Sequence, residues 1–411
     1  MQNRITLPDI VAARERGRSV VLETPTLPSH SFSRLAGTEV WLKAENLQRT
    51  GSFKIRGGMN AIALLDPATR DRGVVAASAG NHAQGVALAA AHNGATATVF
   101  MPENAAIPKV AATREYGAVV ILAGATLAEA TDHAMAFANE SGGSFIHPFD
   151  DPAIVAGQGT LGLEVLEQVP DVETVIVPVG GGGLISGAAV AIKEGRPDVR
   201  IVGVQSSAVP TYVEARRTGS PSEITPRPTV ADGIAVSRPS SLCFGIIEAL
   251  VDDLVVVDDH HTTEAVALLL ERAKYLVEPS GAVGVAALLH GMVDASGTTV
   301  VVLSGGNVDL LLLDEVVRHG LESSGRFAAL DVLVPDEPGH LAAVLTTIGV
   351  HGGNVLSVDH HRQGHGLAFG TVEIQVALET KGFDHIDAIV AALADYEVSG
   401  TQAGRGSGSS P

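Results

Sequence analysis

The chain has 411 residues, of which 45% are hydrophobic and 18% charged, and its formal net charge is −19. This length suffices for two or three domains with substantial cores, and the acidic balance argues against nucleic-acid binding through bulk electrostatics. The single cysteine, Cys243, excludes an intramolecular disulfide and a zinc site built from cysteines.

Residues 1–18 mix acids, bases and a proline and lack the apolar stretch that a signal peptide needs. The rest of the chain has no run of about 18 apolar residues free of charge, so no membrane-spanning helix is predicted. We therefore expect a cytoplasmic protein that binds neither nucleic acid nor membrane.

The first distinctive segment is 45–58, ENLQRTGSFKIRGG, in which Lys54 stands between Phe53 and Ile55. A lysine in tight, partly apolar surroundings loses its proton more readily than a solvated lysine and can act as a nucleophile. Judged on this residue alone, an ordinary structural role is the more frequent explanation.

From residue 73 onward, short Val/Ile-rich runs alternate with Ala-rich stretches of helical length, which predicts α/β layers with a largely parallel sheet. Strands are predicted at 73–78, 96–101, 118–122, 174–179, 200–205, 254–257 and 298–303, and helices at 82–92 and 107–116. The Pro- and Ser-rich stretch 220–241 is predicted to be a loop on the surface or at the rim of a site.

Three predicted strands run into turns of small residues, and each turn is predicted to open a helix. The turns are Ala79–His82, Gly180–Leu184 and Ser304–Asn307. A helix N-terminus has unpaired N–H groups and a partial positive charge, so it suits phosphate or carboxylate. The four consecutive glycines of the second turn let the backbone close around a phosphate, although they match neither the GxGxxG nor the P-loop pattern.

Small residues at a strand–helix turn more often serve close packing than ligand binding. In combination with Lys54, however, the turns are more informative. A lysine, a phosphate cradle and a second anion site are what an aldehyde cofactor with a phosphate, and an amino-acid substrate, require.

The pattern changes after residue 323. A strand at 328–334, a turn at 335–339, a helix at 340–350, strands at 354–361 and 367–379 around a turn at 364–366, a helix at 383–393 and a strand at 396–399 are predicted. This βαββαβ order is that of a ferredoxin-like domain.

Six motifs, GSFKIRGG, SAGNHAQGVA, VPVGGGGLISG, ADGIAV, EPSGA and SGGNVD, occur in this order between about Ile5 and Gly320. As an ordered set they resemble the threonine dehydratases (threonine ammonia-lyases) of the fold-type II pyridoxal phosphate family. Residues from Leu330 to about Ser399, with VPDEPGHL and GGNV, resemble one ACT domain. The resemblance covers nearly the whole chain and implies pyridoxal 5'-phosphate as the cofactor of a carbon–nitrogen lyase.

The resemblance also implies an architecture of two doubly wound α/β lobes followed by a C-terminal ferredoxin-like βαββαβ ACT domain. The expected limits are 1–322 for the catalytic region, with a small lobe at about 55–149, then 323–329 for a linker, 330–400 for the ACT domain and 401–411 for a disordered tail. A homotetramer or homodimer is the family expectation, and the sequence itself says nothing about assembly.

By position, the resemblance makes Lys54 the residue that forms a Schiff base with the cofactor and removes the Cα proton of the substrate. Asn81 binds the ring hydroxyl, and Ser304 faces the ring nitrogen with a neutral hydroxyl, which favours β-elimination over transamination. Two backbone segments complete the site that the resemblance implies. The phosphate is bound by the backbone of Gly180, Gly181, Gly182, Gly183 and Leu184. The substrate carboxylate is bound by the backbone of Ser78, Ala79, Gly80, Asn81 and His82.

Within this family, an L-serine dehydratase and a serine racemase are alternatives, and a non-catalytic amino-acid sensor is an alternative of another class. The racemase-like pattern has a serine in place of Ala79 and acids in place of Gln205 and Thr211, which puts a divalent-cation site in doubt. One methyl group is worth only about 1–3 kcal/mol of discrimination, so threonine and serine stay open. The intact Lys54, Asn81 and glycine turn argue against a sensor.

Two histidine pairs, His260–His261 and His360–His361 with His365, lie beside predicted strand ends rich in aspartate. Adjacent residues of a strand point to opposite faces, so no metal site is predicted. For Glu278 two expectations stay open, a place near the cofactor ring and a helix cap.

The ACT-like region is expected to bind an amino-acid effector. Isoleucine is the expected effector, in keeping with a role in isoleucine biosynthesis, and valine or serine are alternative effectors; threonine catabolism is the other role that stays open. A module that only holds subunits together is the structural alternative. The residues assigned to this site are Asp336, Gly339, His340, Leu341, Asn354 and Val355.

Overall fold

The computed structural model describes residues 5–362 and 367–400. Two compact units, Met1–Asp309 and Leu310–Pro411, divide the chain. The turn predicted at 364–366, His365 and the tail 401–411 lie outside the described residues. None of the helices in the described part of the chain combines the length and the apolar character needed to cross a bilayer.

The strands of the first unit form two sheets. They are β1 (Thr26–Pro28), β2 (Val40–Ala44), β3 (Val74–Ala77), β4 (Ala97–Met101), β5 (Val119–Leu122), β6 (Ser144–Phe145), β7 (Thr174–Pro178), β8 (Arg200–Ser206), β9 (Asp253–Val257) and β10 (Thr299–Leu303). The larger sheet has the order β1-β2-β10-β7-β8-β9 and is parallel except at β1, and the smaller sheet has the order β5-β4-β3-β6 and is parallel throughout.

Helices separate most of these strands. They are α1 (Leu7–Gly17), α2 (His30–Ala36), α3 (Lys54–Ala63), α4 (Pro67–Asp71), α5 (Asn81–His92), α6 (Ile107–Glu115), α7 (Leu127–Ser141), α8 (Pro152–Gln168), α9 (Gly183–Gly195), α10 (Thr211–Thr218), α11 (Ser241–Leu250), α12 (Asp259–Leu268) and α13 (Pro279–Leu289). Short 3₁₀ turns lie at Glu45–Leu47 and Asp232–Ile234, and a π turn at Leu269–Ala273.

Burial explains the Val/Ile runs of the larger sheet. Every residue of β7 and β10 is buried, as expected for parallel strands with helices on both faces. Val175, Val177, Val300 and Val302 belong to one core with residues of α8 and α9. The smaller sheet has its own core around Val74, Val99 and Met101. The predicted two-lobed α/β architecture is therefore confirmed.

One predicted helix start is wrong. The segment after β10 does not open a helix, since the next helix, α14 (Leu310–Ser323), begins six residues after Ser304 and belongs to the second unit. The backbone of residues 304–306 pairs instead with the segment before α3: Gly305 forms a bridge with Ser52, and Gly306 N donates to Gly51 O at 2.9 Å. The other two turns do open helices, α5 and α9.

The second unit has the predicted βαββαβ order. After α14 come β11 (Phe327–Pro335), α15 (His340–Val350), β12 (Asn354–His361), β13 (Thr371–Glu379), α16 (Phe383–Ala392) and β14 (Glu397–Gly400), and the sheet is antiparallel with the order β12-β13-β11-β14. Every second residue of β11 and β13 is buried under the two helices. The strand β13 begins later than predicted because Gly370 turns the chain with φ +81°. The domain limits expected from the sequence stay predictions.

Candidate active site

Lys54 is the first residue of α3, and its half-buried side chain lies between Phe53 and Pro148 in a space that is called the cleft. Its Nζ donates to Pro148 O at 3.1 Å and lies 5.2 Å from the centre of the Phe53 ring. Burial lowers the pKa of Lys54 to about 8, although Glu278 and Cys243 act in the opposite direction. A lysine with this pKa is partly neutral near physiological pH, as a nucleophile or a base must be.

The turn between β3 and α5 lies beside the start of α3. A Cβ on Gly85 of α5 would lie 3.0 Å from the backbone carbon of Lys54, so the two helices approach at van der Waals distance. In this turn Gly80 N donates to Ser78 Oγ at 3.1 Å. The N–H groups of Asn81 and His82 have no acceptor among the described residues, which suits a carboxylate at this helix start.

The side chain of Asn81 is held from two sides. Its Nδ2 donates to Glu278 Oε1 at 2.7 Å, and its Oδ1 accepts from Asn307 Nδ2 at 2.7 Å. Asn307 Nδ2 also donates to Thr50 O at 2.7 Å. These bonds fix which side of the Asn81 amide carries the donor.

Of the two expectations for Glu278, the structure supports a place in the site. Glu278 occupies the cap position of α13 without a side-chain cap bond, and it contacts Asn81 instead. Burial raises the pKa of Glu278 to about 7, with Asp232 adding to the rise. The carboxyl group therefore changes charge near neutral pH.

The four-glycine turn connects β7 to α9, and its shape excludes side chains. A Cβ on Gly181 would lie 2.1 Å from the Phe149 ring, and one on Gly182, which has φ +88°, would lie 2.6 Å from the Tyr212 hydroxyl. The Tyr212 hydroxyl donates to Gly181 O at 2.7 Å and accepts from Ser240 N at 3.1 Å. The carbonyl side of the turn is thus fixed from the protein interior.

This turn fits a phosphate. No described residue accepts a hydrogen bond from the N–H groups of Gly180–Gly183, and α9 begins at Gly183, so the positive end of its dipole points the same way. A group of backbone donors without acceptors at a helix start is a common anion cradle. The residues present therefore suit a cofactor that carries a phosphate.

Ser304 lies at the end of β10, beside the residue before Lys54. Its side chain is buried, and its carbonyl accepts from Phe53 N at 3.1 Å. A Cβ on the following Gly305 would lie 2.3 Å from Glu278 Oε1. The structure thus places Ser304, Lys54, Glu278 and Asn81 around one cleft. Ser304 follows the last residue of β10 and does not begin a helix, contrary to the prediction.

His82 is placed differently from the other residues of its turn. Its ring is buried, with Nε2 at 2.8 Å from Ile146 O. Burial, together with the charge of Lys54, lowers the pKa of His82 to about 3, so the ring is neutral. The ring is used for packing, and only the N–H group of His82 is available for the predicted carboxylate site.

Sequence reasoning gave no role to several residues that shape this cleft. Pro148 and Phe149 contact Lys54 and the glycine turn, and Asn307 orients Asn81. Ser52, next to Phe53, has a buried hydroxyl without a hydrogen-bond partner among the described residues. Only the place of Asn307 at the end of the third turn could have indicated one of these roles.

The histidine pairs do not assemble with acids into a metal centre. Among the described residues, no group of three or more His, Cys, Asp or Glu side chains could hold a metal ion. His260 and His261 lie in the first turn of α12, so the argument from opposite strand faces was wrong for this pair. His261 Nδ1 lies 2.7 Å from the Asp258 carboxylate. At the position of the missing acid, Gln205 Oε1 accepts from Tyr212 N at 2.8 Å.

The six residues assigned to an effector site fall into two groups. Asp336 and Gly339 lie in the turn after β11, and His340 and Leu341 begin α15, whereas Asn354 and Val355 begin β12. Pro335 pairs with Thr371 at one end of β13, and Asn354 pairs with Glu379 at the other. These ends are about 27 Å apart at the rise of a strand, so one chain does not bring the two groups together.

The first unit matches a known family. The profile described as "Pyridoxal-phosphate dependent enzyme" matches residues 18–305. The L-threonine ammonia-lyase of Thermotoga maritima is 46% identical over 397 residues, which cover 96% of this chain and 99% of that protein. This likeness therefore includes the second unit.

Two solved structures resemble this chain over about three quarters of its length. The processed form of threonine deaminase isoform 2 from Solanum lycopersicum has a TM-score of 0.73 at 34% identity, covering 76% of this chain and 86% of that one. Maize serine racemase has a TM-score of 0.71 at 36% identity, covering 77% of this chain and 98% of that one. Both chemistries therefore occur on closely similar folds.

Proposed function

The chain belongs to the family of pyridoxal-phosphate dependent enzymes, and we propose that it is a lyase that converts L-threonine to 2-oxobutanoate and ammonia by β-elimination. One observation carries the proposal. Lys54, with a pKa of about 8, begins a helix that packs against α5, and its partner Pro148 is followed by Phe149, which packs on the glycine turn. In the turns that open α5 and α9, the N–H groups of Asn81, His82 and Gly180–Gly183 lack acceptors among the described residues. The identity of 46% with an L-threonine ammonia-lyase over nearly the whole chain selects the reaction.

The residues of this chain divide the binding between them. The N–H groups of Gly180–Leu184 would hold the cofactor phosphate, and Lys54 would hold its aldehyde carbon. Asn81, with its amide oriented by Asn307 and Glu278, would donate to the ring hydroxyl. Ser304 would face the ring nitrogen. When bound, pyridoxal phosphate supplies an electron sink for the pair released from the Cα–H bond.

Lys54 performs the proton transfer. The first turn of α5 holds the substrate carboxylate through N–H groups, which places Cα near the start of α3. The amine of Lys54, which would be free once the substrate amine has replaced it on the cofactor, takes the Cα proton, and such positioned transfer contributes about 10²–10⁴-fold. The bond between Cβ and the hydroxyl oxygen breaks, and the hydroxyl group takes up one proton, the equivalent of the one that Lys54 removed, and leaves as water. The released product then takes up water and loses ammonia, which gives 2-oxobutanoate.

An L-serine dehydratase is the nearest alternative, because serine differs from threonine by one methyl group. A serine racemase is less supported, although such enzymes share the fold. Where the racemase-like pattern has a serine, this chain has Ala79, and alanine has no group that can return a proton to Cα. A non-catalytic sensor would need no lysine with a lowered pKa.

The second unit is proposed to bind an amino-acid effector, with isoleucine as the first candidate and valine or serine as alternatives. Because the two groups of assigned residues lie at opposite ends of the sheet, a small ligand can contact both only where two chains meet. A homodimer or homotetramer is therefore part of this proposal. Initial rates and light scattering with each amino acid test it, and the absence of any effect on rate or mass contradicts it.

The test of the reaction is the release of 2-oxo acid from L-threonine and L-serine by the purified protein with pyridoxal phosphate. We expect turnover of threonine, with 2-oxobutanoate and ammonia in equal amounts. Conversion of L-serine to D-serine without 2-oxo acid would favour the racemase. No reaction of either substrate with the cofactor bound would contradict the proposal and favour the sensor.

A further inference from the structure

Arg56 follows Lys54 by two residues in α3, and its side chain is buried on the other side of the helix. Successive helix residues are about 100° apart, so these two positions point in roughly opposite directions. Lys54 reaches Pro148, whereas the Arg56 guanidinium contacts Glu45 and Glu164. Any movement of α3 that disturbs one of these ends also moves the other.

The guanidinium of Arg56 uses all five of its N–H groups. It binds Glu45 through Nε and Nη2, both at 2.7 Å, and Glu164 through Nη1 at 2.5 Å and Nη2 at 2.8 Å. The fifth N–H, on Nη1, donates to Thr160 Oγ1 at 3.0 Å. Each carboxylate is therefore held by two parallel bonds, a geometry that only arginine provides.

The two carboxylates come from different elements. Glu45 begins the 3₁₀ turn after β2, and Glu164 lies in α8, which follows the segment that carries Pro148. Lys43 balances the charge, because its Nζ binds Glu164 Oε2 and Thr24 O, both at 2.6 Å. The hydrogen bonds of Lys43 go to these two residues and Gln168, and none reaches α3.

This cluster is a poor source of stability. Lys43, Glu45, Arg56 and Glu164 are 0%, 0%, 2% and 4% exposed. Taking charges out of water costs several kcal/mol per ion, and apolar residues of equal volume often stabilise a protein as well or better. The bidentate bonds instead fix a distance and an angle between α3, α8 and the end of β2.

The neighbouring helices leave α3 little freedom. A Cβ on Gly157 of α8 would lie 2.5 Å from Arg56 O, and one on Gly57 of α3 would lie 2.4 Å from Gln158 Nε2. The first turn of α3 is thus in close contact with α5 and α8. Arg56 restrains it further, toward the end of β2, through its bonds to Glu45.

A second explanation for the arginine is an anion site. A cavity of about 380 Å³ meets the outer side of the cluster, where Arg14, Arg18 and Glu23 line it together with Arg56. The donors of Arg56 are all occupied by protein acceptors, so it offers no bond to a ligand in that cavity. The cavity therefore does not account for the cluster.

We propose that Arg56, clamped by Glu45 and Glu164, is a positioning residue that sets the place of the Lys54 amine in the cleft. The inference rests on the proposed function, which assigns the proton transfer to Lys54. Loss of the clamp lets the first turn of α3 rotate or shift. A displacement of about 1 Å at a reacting group can cost on the order of 10²-fold in rate.

The test compares three proteins loaded with pyridoxal phosphate: the wild type, Arg56→Lys and Ile201→Ala. We expect Arg56→Lys to lower kcat for threonine by roughly 100-fold and to change KM by less than about threefold, because lysine keeps the charge but cannot form the two bidentate pairs. We also expect a shift in the pH midpoint of the visible absorption band of the bound cofactor. Ile201→Ala, in the buried core of β8, should lower the melting temperature but leave kcat and the pH midpoint near wild type.

Wild-type kcat and pH midpoint in Arg56→Lys would overturn the inference, as would equal losses of kcat in both variants at equal losses of melting temperature. If Arg56→Lys does not fold, Glu45→Gln replaces it, since glutamine keeps one of the two bonds to Arg56. We then expect a loss of kcat of about 10-fold, and an unchanged kcat overturns the inference. Failure of the proposed function would be distinct, because the wild type itself would not turn over threonine, while the absorption midpoint would still report on the clamp.

Discussion

The two faces of α3 carry basic side chains that differ in their number of hydrogen-bond partners and in the direction of their pKa shifts. On the cleft side, Lys54 has one carbonyl partner, Pro148 O, and burial lowers its pKa to about 8. On the other side, Arg56 has a partner for every N–H, and the two carboxylates raise its pKa although burial acts against them. The two residues are separated by Ile55 alone.

The difference lies in the number of partners and not in burial alone. A buried group that is short of partners becomes neutral more readily, and such a group can accept or release a proton near pH 7. A buried group with all its partners keeps its charge and fixes geometry instead. Glu278, with its pKa raised to about 7, resembles Lys54 in this respect, whereas Arg56 holds the pKa of Glu45 below its usual range against the effect of burial.

The largest effect is expected at Lys54. Lys54→Ala removes both the attachment of the cofactor and the base, so threonine turnover should fall by at least about 10³-fold. Lys193→Ala is the control, because Lys193 forms an ion pair with Asp252 at 2.9 Å outside the cleft. Rates of 2-oxobutanoate release measure both variants. Comparable losses of turnover in the two variants would show that Lys54 has no role that a lysine outside the cleft lacks.

Gly181→Ala should come next. The added Cβ would meet the Phe149 ring, and overpacking of this kind costs about 1–3 kcal/mol, which corresponds to roughly 10- to 100-fold weaker cofactor binding. Gly245→Ala in α11 is the matched control, since a Cβ there has nothing within 4 Å. Absorbance titration with pyridoxal phosphate gives both dissociation constants, and equal affinities would argue against the glycine turn as the phosphate site.

Glu278→Gln tests the raised pKa of Glu278 through the pH dependence of the free energy of unfolding. The folded pKa of about 7 lies above the unfolded value of about 4.3, so the bound proton stabilises the fold fully below pH 4.3, and this contribution is lost as the pH rises through 7. Glutamine stays neutral at every pH. The free energy of unfolding of the variant should therefore rise relative to that of the wild type as the pH rises, by on the order of 3 kcal/mol above pH 7. Urea unfolding of the cofactor-free chain measures this gain. A difference between variant and wild type that does not change with pH would refute it.

The smallest effect is the pH dependence of kcat in the wild type. The base must be neutral, and its neutral fraction rises as the pH passes through a pKa of about 8. We expect kcat for threonine to rise roughly fivefold between pH 7 and 8 and to level off above 9. A kcat that falls over this range would mean that an acid, and not the Lys54 amine, limits the reaction.

The sequence was informative where local pattern decides the structure. Buried parallel strands read as Val/Ile runs, and α5 and α9 begin where small residues follow β3 and β7, because such turns need little more than local geometry. The strands and helices predicted after residue 323 likewise gave the βαββαβ order of the second unit. The Lys54 motif and the glycine turn, taken together, indicated an aldehyde cofactor that carries a phosphate.

The sequence failed where distant segments meet. The segment 304–306 reads like the other two turns, yet its backbone pairs with residues 51–53, which no local pattern reveals. The clamp around Arg56 joins three elements, and its bond to Glu164 spans 108 residues of sequence. Lys43 and Glu164 are ordinary charged residues in sequence, and only the fold shows that they are buried.

The most direct measurement is to reduce the cofactor-loaded protein with borohydride, digest it and locate the pyridoxyl group by peptide mass spectrometry. We predict that the label lies on Lys54, in the peptide that contains GSFKIR, and that it is absent from Lys43 and Lys109. Labelling of another lysine, or no labelling when the cofactor is bound, would contradict the role of Lys54 and with it the contrast between the two faces of α3.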